Sequence, residues 1–245
     1  MYNRTCAPPR DGFETRNRLL AALPPDALLR VRSHFEPVAL LPGEVLCEAG
    51  EKLKRAYFVE AGVVALMALF NNGITGVMGT IGREGMIGFG ALTGNNTAFR
   101  RQVVHVPGSA LAVEISQFRR ALEERAALRA LCEGYTRAFL GQVLQTIACN
   151  VVHSVEQRCA RWLLFSHDRG DGETCAVTEE LLARMAAVSE PAAVAVIRNL
   201  QHAGLIRCRP GMIAVVDRSR LEAAACECYL LDRGRYQRMP PDRDR

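Results

Sequence analysis

The chain has 245 residues, 49% of them hydrophobic and 6% aromatic, and carries a formal charge of +5. This describes a globular protein of one large or two modest domains, and no apolar run approaches the length of a membrane span. The mild positive balance permits a nucleic-acid partner without demanding one. The basic side chains are almost all Arg, with Lys only at positions 52 and 54, and residues 154–245 are nearly neutral, with 14 basic side chains against 13 acidic. The first residues, MYNRTCAPPRDGFETRN, lack the apolar segment of a secretory leader. The nine cysteines, an odd number, are expected to be reduced in a cytoplasmic protein.

Residues 1–15 are polar. Asn17–Leu23 and Pro25–His34 read as two short helices, with Pro24-Pro25-Asp26 as the stop and restart. From Glu36 to Glu114 the pattern becomes short β-like runs: Pro37–Leu41, Glu44–Cys47, Ala56–Glu60, Val63–Phe70, Thr75–Ile81, Gln102–Val106 and Ala110–Glu114. Turn signals separate them at Pro42-Gly43, Ala49-Gly50, Ala61-Gly62, Asn71-Asn72-Gly73 and Pro107-Gly108, which suggests a rolled or closed β structure. Asn72-Gly73 is the clearest hairpin signal. The block from Gly82 to Gly94 holds five glycines and breaks the strand rhythm, so close backbone approach is expected there.

Ser116–Glu124 is a short helix and Ala126–Val152 a long one. The long helix has too many apolar positions for one stripe, so one face is expected on the β structure and another on a partner helix. Ser154–His167 opens a second domain, with Trp162 to Phe165 as its core, and the polar loop Asp168–Thr174 follows.

Val177–Ile206 then reads as a helix, a short turn and a second helix. Thr178 is placed to cap the first helix, with Glu179 and Glu180 suiting the positive end of its dipole, and Leu181, Leu182, Met185 and Ala186 recur at helical spacing. Val188 is a turn residue, Ser189 an N-cap, and Glu190-Pro191 fit a first helical turn. Val194, Ile197 and Leu200 form the expected buried side, and Gly204 ends the helix. Ile206–Cys208, Arg209-Pro210-Gly211 and Met212–Val216 follow as a hairpin, which makes a winged helix-turn-helix, an arrangement that places a helix in the DNA major groove. Asp217–Tyr236 is mainly helical, and RMPPDRDR is a charged tail.

A β-roll, a long helix and a winged helix-turn-helix in this order resemble the Crp/Fnr family of bacterial transcription regulators. The stretches that carry the resemblance are LLPGEVLCEAGEKLKRAYFVEAGVVAL, IGREGMIGFGALTG, HSVEQRCARWLL and TEELLARMAAVSEPAAVAVIRNLQHAGLI. The resemblance implies an α+β chain with an effector-type roll over residues 16–125, a dimerisation helix over 126–153 and a DNA-binding domain over 154–236. It implies a homodimer on double-stranded DNA, a small-molecule effector of unknown identity at the roll, and RNA polymerase as a further candidate partner. No membrane partner, cofactor or enzyme activity is expected.

The resemblance also marks departures. Cyclic-nucleotide-binding relatives carry a Glu for the ribose in the glycine-rich block, where this chain has Phe89 in GMIGFGAL. A phosphate-pairing Arg follows in those relatives, and Arg100 or Arg101 stands there; a polar pair meets the purine, and Val143-Leu144 stands there. The effector-pocket candidates are therefore Gly88, Phe89, Gly90, Arg100, Arg101, Val143 and Leu144, and tight binding of cyclic AMP is not expected. Iron–sulfur relatives use several N-terminal cysteines, and this N-terminus offers Cys6. Axial ligands for haem are not identifiable.

On the reading helix the family presents an Arg, a Glu and a second Arg, where this chain has Glu190, Pro191 and Ala195. The DNA-contact candidates are Thr178, Ser189, Glu190, Ala192, Ala195, Arg198 and Asn199, with Gln201 and His202 as further polar positions and Arg207 and Arg209 on the wing. Arg198, two turns in, suits phosphate rather than a base.

Metal ligation is not expected, because no spacing matches a structural zinc site: Cys226-x-Cys228 is tight for a zinc pair and no clustered His accompanies it. Cys149 and His153 share a helical face but read as a buried thiol and a helix-end His, since no third orienting group is evident. His105 reads as a strand residue and Glu123-Glu124 with Arg119-Arg120 as a solvated helix face. The alternative to a regulator is a thiol-based redox sensor or interaction protein on the same scaffold. The near-neutral C-terminal part and the Glu190-Pro191 helix start favour that alternative.

Overall fold

The computed structural model describes residues 15–71, 75–94, 96–170, 174–175, 177–209 and 211–239. Two short helices, α1 (Arg18–Ala21) and α2 (Pro25–Arg32), lead into a six-stranded antiparallel roll. Its strands are β1 (Glu36–Leu40), β2 (Val45–Cys47), β3 (Arg55–Leu69), β4 (Thr75–Ile81), β5 (Met86–Ile87) and β6 (Arg101–Glu114). The order is β1-β6-β3-β4, with β2 on β6 and β5 on β3. Asn17 seats the first helix. Its carboxamide oxygen accepts from the Leu19 and Leu20 amides, while its nitrogen donates to the Val59 and Gly85 carbonyls.

Two expected turns are not turns. Ala61-Gly62 and Pro107-Gly108 lie inside the single long strands β3 and β6, facing each other where the register slips between Val59 and Val63. A Cβ at Gly62 would sit 2.5 Å from the Val106 carbonyl oxygen, and one at Gly108 would sit 2.1 Å from that of Ala61. The glycines let two backbones touch at a paired bulge, so the ribbon bends and rolls instead of reversing. Between β3 and β4 the register runs from Val64↔Ile81 to Leu69↔Thr75; the expected Asn72-Gly73 turn lies outside the described residues.

A 3-10 turn over Phe89–Thr93 precedes β6, and α3 (Ile115–Glu124) and the 27-residue α4 (Ala126–Val152) follow it. Then comes α5 (Val155–Arg169), whose start is a capping box. The Gln157 amide donates to Ser154 Oγ at 3.2 Å, and the Ser154 amide donates to Gln157 Oε1 at 3.1 Å. A strand β7 (Thr174–Cys175) leads to α6 (Glu179–Ala186) and α7 (Glu190–His202), and β8 (Ile206–Arg209) and β9 (Met212–Val215) form the wing. The small sheet runs β7-β9-β8. Two helices close the chain, α8 (Arg218–Ala224) and α9 (Cys228–Gln237).

There are two main cores. One fills the roll and takes in α1, α3, the first half of α4, and Tyr236 and Met239. The other joins α5 to α8 with Tyr229 and with Ala65, Met67 and Val77 of the roll. The last helix therefore does not stay with the winged unit: α9 packs along α4 and its end enters the roll's core. Packing is thus continuous across residue 154, with Tyr236 in the first core and Ala65, Met67 and Val77 in the second.

Candidate nucleic-acid interface and effector face

The reading unit is built by its caps. Thr178 Oγ1 accepts from the Leu181 amide at 3.1 Å at the start of α6. That helix ends on Ala187, the one non-glycine with positive φ among the described residues, at 53°. Ser189 is the residue before α7, as expected, but its hydroxyl makes no capping bond. At the other end the Leu205 amide donates to the Leu200 carbonyl and that of Gly204 to Gln201, both at 3.0 Å, with Gly204 at φ +74°. This is the left-handed stop that glycine permits.

α7 buries Ala193, Val196, Ile197 and Leu200; Val194, expected in that set, is half-buried. The opposite face is free. Glu190, Pro191, Ala195, Arg198, Asn199 and His202 are exposed, Ser189 and Thr178 are exposed beside them, and Ala192 is half-buried. Gln201 is exposed but engaged, because its Oε1 accepts from the Cys208 amide at 3.1 Å and ties the helix to the wing. Arg207 and Arg209 both project outward from β8, two residues apart on one side of the strand. Gly211 of the wing turn has φ +72°, and Pro210 lies outside the described residues. The groove between α6, α7 and the wing is lined by Glu179, Glu180 and Glu190 against Arg209, an acidic margin that reflects the even charge count of this half.

The effector candidates come together only in part. Phe89 lies against Phe139 of α4 at 5.5 Å between ring centroids and stacks on Phe99 at 6.1 Å. A Cβ at Gly79 of β4 would meet Phe139 at 2.8 Å; within the glycine-rich block, one at Gly82 would meet the Arg169 side chain at 2.6 Å and one at Gly85 the Tyr135 ring at 2.4 Å. The glycine-rich block thus makes the close approach expected of it, to helix side chains. Gly88 (φ +98°) and Gly90 are buried beside Phe89, and Val143 packs on the same cluster. Arg100 is exposed and donates to the Phe99 carbonyl, Arg101 pairs with Glu48 at 3.2 Å, and Leu144 is 58% exposed on the outer side of α4. Gly88, Phe89, Gly90 and Val143 are thus brought together, while Arg101 is engaged with Glu48 and Leu144 lies on the exposed side of α4.

A buried latch joins the two cores. The Arg169 guanidinium at the end of α5 donates to Glu84 Oε1 at 2.7 Å and to the Thr80 carbonyl at 2.8 Å. Burial alone would raise the Glu84 carboxyl, but the Arg169 charge outweighs it and holds the group below its ordinary value. His105 of β6, a strand residue as expected, is pushed down by burial, with the Arg184 charge adding to it.

The expectation of no metal-ligating set needs correction. Among the described residues Cys149, His153, Cys226 and Cys228 converge, with their ligand atoms all within 4.8 Å of one another. Spacing concealed this because α9 folds back on α4 and brings the Cys226-x-Cys228 pair to the Cys149–His153 face from more than seventy residues away. The hydrogen bond with Cys226 pulls the Cys149 thiol down to about 5; burial opposes it, and the Arg161 charge and His153 reinforce it. A CxxxH face on one helix together with a later CxC was the available signal.

Both the roll and the reading unit have counterparts among known proteins. The family model for a cyclic nucleotide-binding domain matches residues 37–125, and that for a Crp-like helix-turn-helix domain matches residues 157–224. A search of curated proteins found no match. Among solved structures, FixK2 from Bradyrhizobium japonicum is similar with a TM-score of 0.69 at 14% identity, covering 78% of this chain and 98% of that one. A CRP-family transcriptional regulator from Thermus thermophilus gives 0.63 at 21% identity, covering 77% and 96%. The c-di-GMP-responsive global regulator CLP from Xanthomonas campestris gives 0.62 at 17% identity, covering 78% and 98%. At these identities the structural likeness is one of fold, and the family models carry the assignment. No helix among the described residues is long and apolar enough to cross a membrane. With a cyclic nucleotide-binding-type roll followed by a Crp-like helix-turn-helix, the chain belongs to the Crp/Fnr family and is a DNA-binding transcription regulator rather than an enzyme.

Proposed function

We propose that the chain works as a homodimer whose α4 helices pair, that its two α7 helices read successive major grooves, and that the controlling signal is not cyclic AMP. The observation that carries this reading is an unpartnered apolar stripe on α4. Leu140, Leu144, Ile147 and Val151 are 56%, 58%, 59% and 84% exposed at steps of four, three and four residues. That spacing is a coiled-coil seam, and four large apolar side chains in line at the surface of one helix need a cover. A second copy supplies it isologously and places two readers about a two-fold axis, as a pair of half-sites requires.

On each reader, Thr178, Ser189, Glu190, Ala192, Ala195, Arg198 and Asn199 form the groove-facing set, with Arg207 and Arg209 on flanking phosphates. Without an Arg at the start of α7, base readout is thin and affinity rests on phosphate contacts, which makes binding steeply salt-dependent. The effector candidates Gly88, Phe89, Gly90 and Val143 surround an aromatic cluster where a ribose would need a carboxylate, so an effector at this face would be less polar than a cyclic nucleotide. RNA polymerase remains a further partner of this reading.

Light scattering is expected to give a dimer for the native chain and a monomer for Leu144→Glu. A native monomer sinks the proposal. Selection of bound genomic fragments, followed by gel shifts at several salt concentrations, tests the reader. Arg207→Ala is expected to flatten the slope of log affinity against log salt by roughly one phosphate's worth, about 0.9, per subunit. Calorimetry with micromolar binding of cyclic AMP would overturn the exclusion of that signal.

A further inference from the structure

We propose that Cys149, His153, Cys226 and Cys228 form a four-ligand site for a thiophilic divalent metal ion of the zinc class, which clamps the hinge between the dimerisation helix and the reading domain. Cys149 Sγ lies 3.6 Å from Cys226 Sγ, and Cys228 Sγ lies 3.7 Å from His153 Nδ1. A tetrahedral ion with bonds of about 2.3 Å to sulfur and about 2.0 Å to nitrogen holds its ligand atoms about 3.5–3.8 Å apart. The four atoms, all within 4.8 Å of one another, are therefore near the spacing that metal would impose.

The donor set is three sulfurs and one imidazole, which suits zinc and its neighbours over calcium or magnesium. Four protein ligands leave no open position, which is the pattern of a structural site. The surroundings match as well. His153 turns Nδ1 toward the sulfurs and Nε2 toward Glu227, with a carboxylate oxygen at 3.2 Å, an arrangement that fixes the tautomer of a metal-bound His. Gln145 Nε2 donates to Cys228 Sγ at 3.1 Å, a bond that steadies a thiolate. The three cysteines are buried, and the His153 side chain, 13% exposed, marks the way in.

The position gives the site its consequence. His153 is the cap of α4 and Ser154 the cap of α5, so the fourth ligand sits on the joint between the two units. Cys226 and Cys228 flank Glu227, the residue before α9. A bound ion would tie both ends of the C-terminal half, the start of α5 and the start of α9, to one turn of α4. That would fix the angle at which the reader leaves the dimer axis. The metal site stands without the DNA-binding reading; its effect on DNA rests on that reading.

The test uses the full chain, purified under reducing, oxygen-free conditions. Metal analysis is expected to find about one zinc per chain. Cobalt(II) added to the stripped protein is expected to give thiolate charge-transfer absorption and the intense ligand-field bands of a tetrahedral site. His153→Ala, at the exposed rim, should weaken cobalt binding at least about tenfold and lose the tetrahedral bands, with an unchanged circular dichroism spectrum; Glu227→Gln should weaken it about tenfold while keeping them. A folded native chain that gives no such bands overturns the site, as does a native chain whose Cys149 and Cys226 are found joined in a disulfide under these conditions. On selected DNA fragments, stripped protein should bind about tenfold more weakly than zinc-loaded protein. Equal affinity in a protein shown to hold the metal overturns the hinge role, while failure of the loaded protein to bind any fragment counts against the DNA reading and leaves the metal site standing.

Discussion

The two halves of α4 make two different kinds of junction. Toward its start the helix presses Tyr135 and Phe139 into the glycine-rich block of the roll, ring against backbone and ring against Phe89. Toward its end it meets α5 and α9 through polar groups: Thr146 accepts from Arg161 at 3.0 Å, Arg161 pairs with Asp232 at 2.7 Å with neither exposed, and Cys149 joins the thiol cluster. The first junction is held by apolar and aromatic packing. The second is held by charges and thiols, and it contains the four side chains proposed above as a metal site. The proposed metal site therefore lies at the second junction, where α4 hands over to α5.

The largest effect should come from breaking the polar end. Asp232→Ala leaves the Arg161 guanidinium buried without its carboxylate and is expected to remove about 3–5 kcal/mol in urea unfolding. Replacing both, as Arg161→Met with Asp232→Leu, should restore most of that loss, because the buried charge goes with its partner. If the single variant is no worse than the double, the junction is not held by this pair. At the apolar end, Phe139→Ala opens a cavity beneath Gly79 and Phe89 and should lose about 3–4 kcal/mol, equally at every pH between 6 and about 9.

The acid limb of stability separates the two ends further. The buried latch between the roll and α5, Glu84 with Arg169, is a titrating contact. Its carboxyl lies below its ordinary 4.5, so the bond contributes in full above that pH and is lost as pH falls through the lower, folded value. The native protein should therefore lose this contribution below that point, and Glu84→Gln should be less stable at neutral pH with a flatter acid limb. An unchanged limb would mean the latch is already broken in solution. The smallest effect is expected at Glu227→Gln in metal-free protein, about 0–1 kcal/mol, since its pair with His153 is at the surface. A larger loss there would show that the thiol cluster is organised before any metal arrives.

Sequence alone determined the parts and their order: a roll from short β runs, a long helix, and a winged helix-turn-helix with Thr178 as a cap and Gly204 as a stop. These follow from period, caps and turn residues acting over a few positions, which is why α4 and the reading unit fall where the pattern puts them. Phe89 stands out in the sequence because it is a local difference from the pattern of the nucleotide-binding relatives that the chain resembles. Local signals misled where the structure answers a distant strand: Ala61-Gly62 and Pro107-Gly108 have the composition of turns and are facing bulges, because each glycine is there for the other strand's backbone. The tertiary structure alone decided that Arg101 pairs with Glu48, that Leu144 lies exposed on the outer side of α4, that Gln201 is spent on the wing, and that Cys149 and His153 meet Cys226 and Cys228. Such contacts join residues far apart in the chain, and no spacing rule records where α9 will fold back.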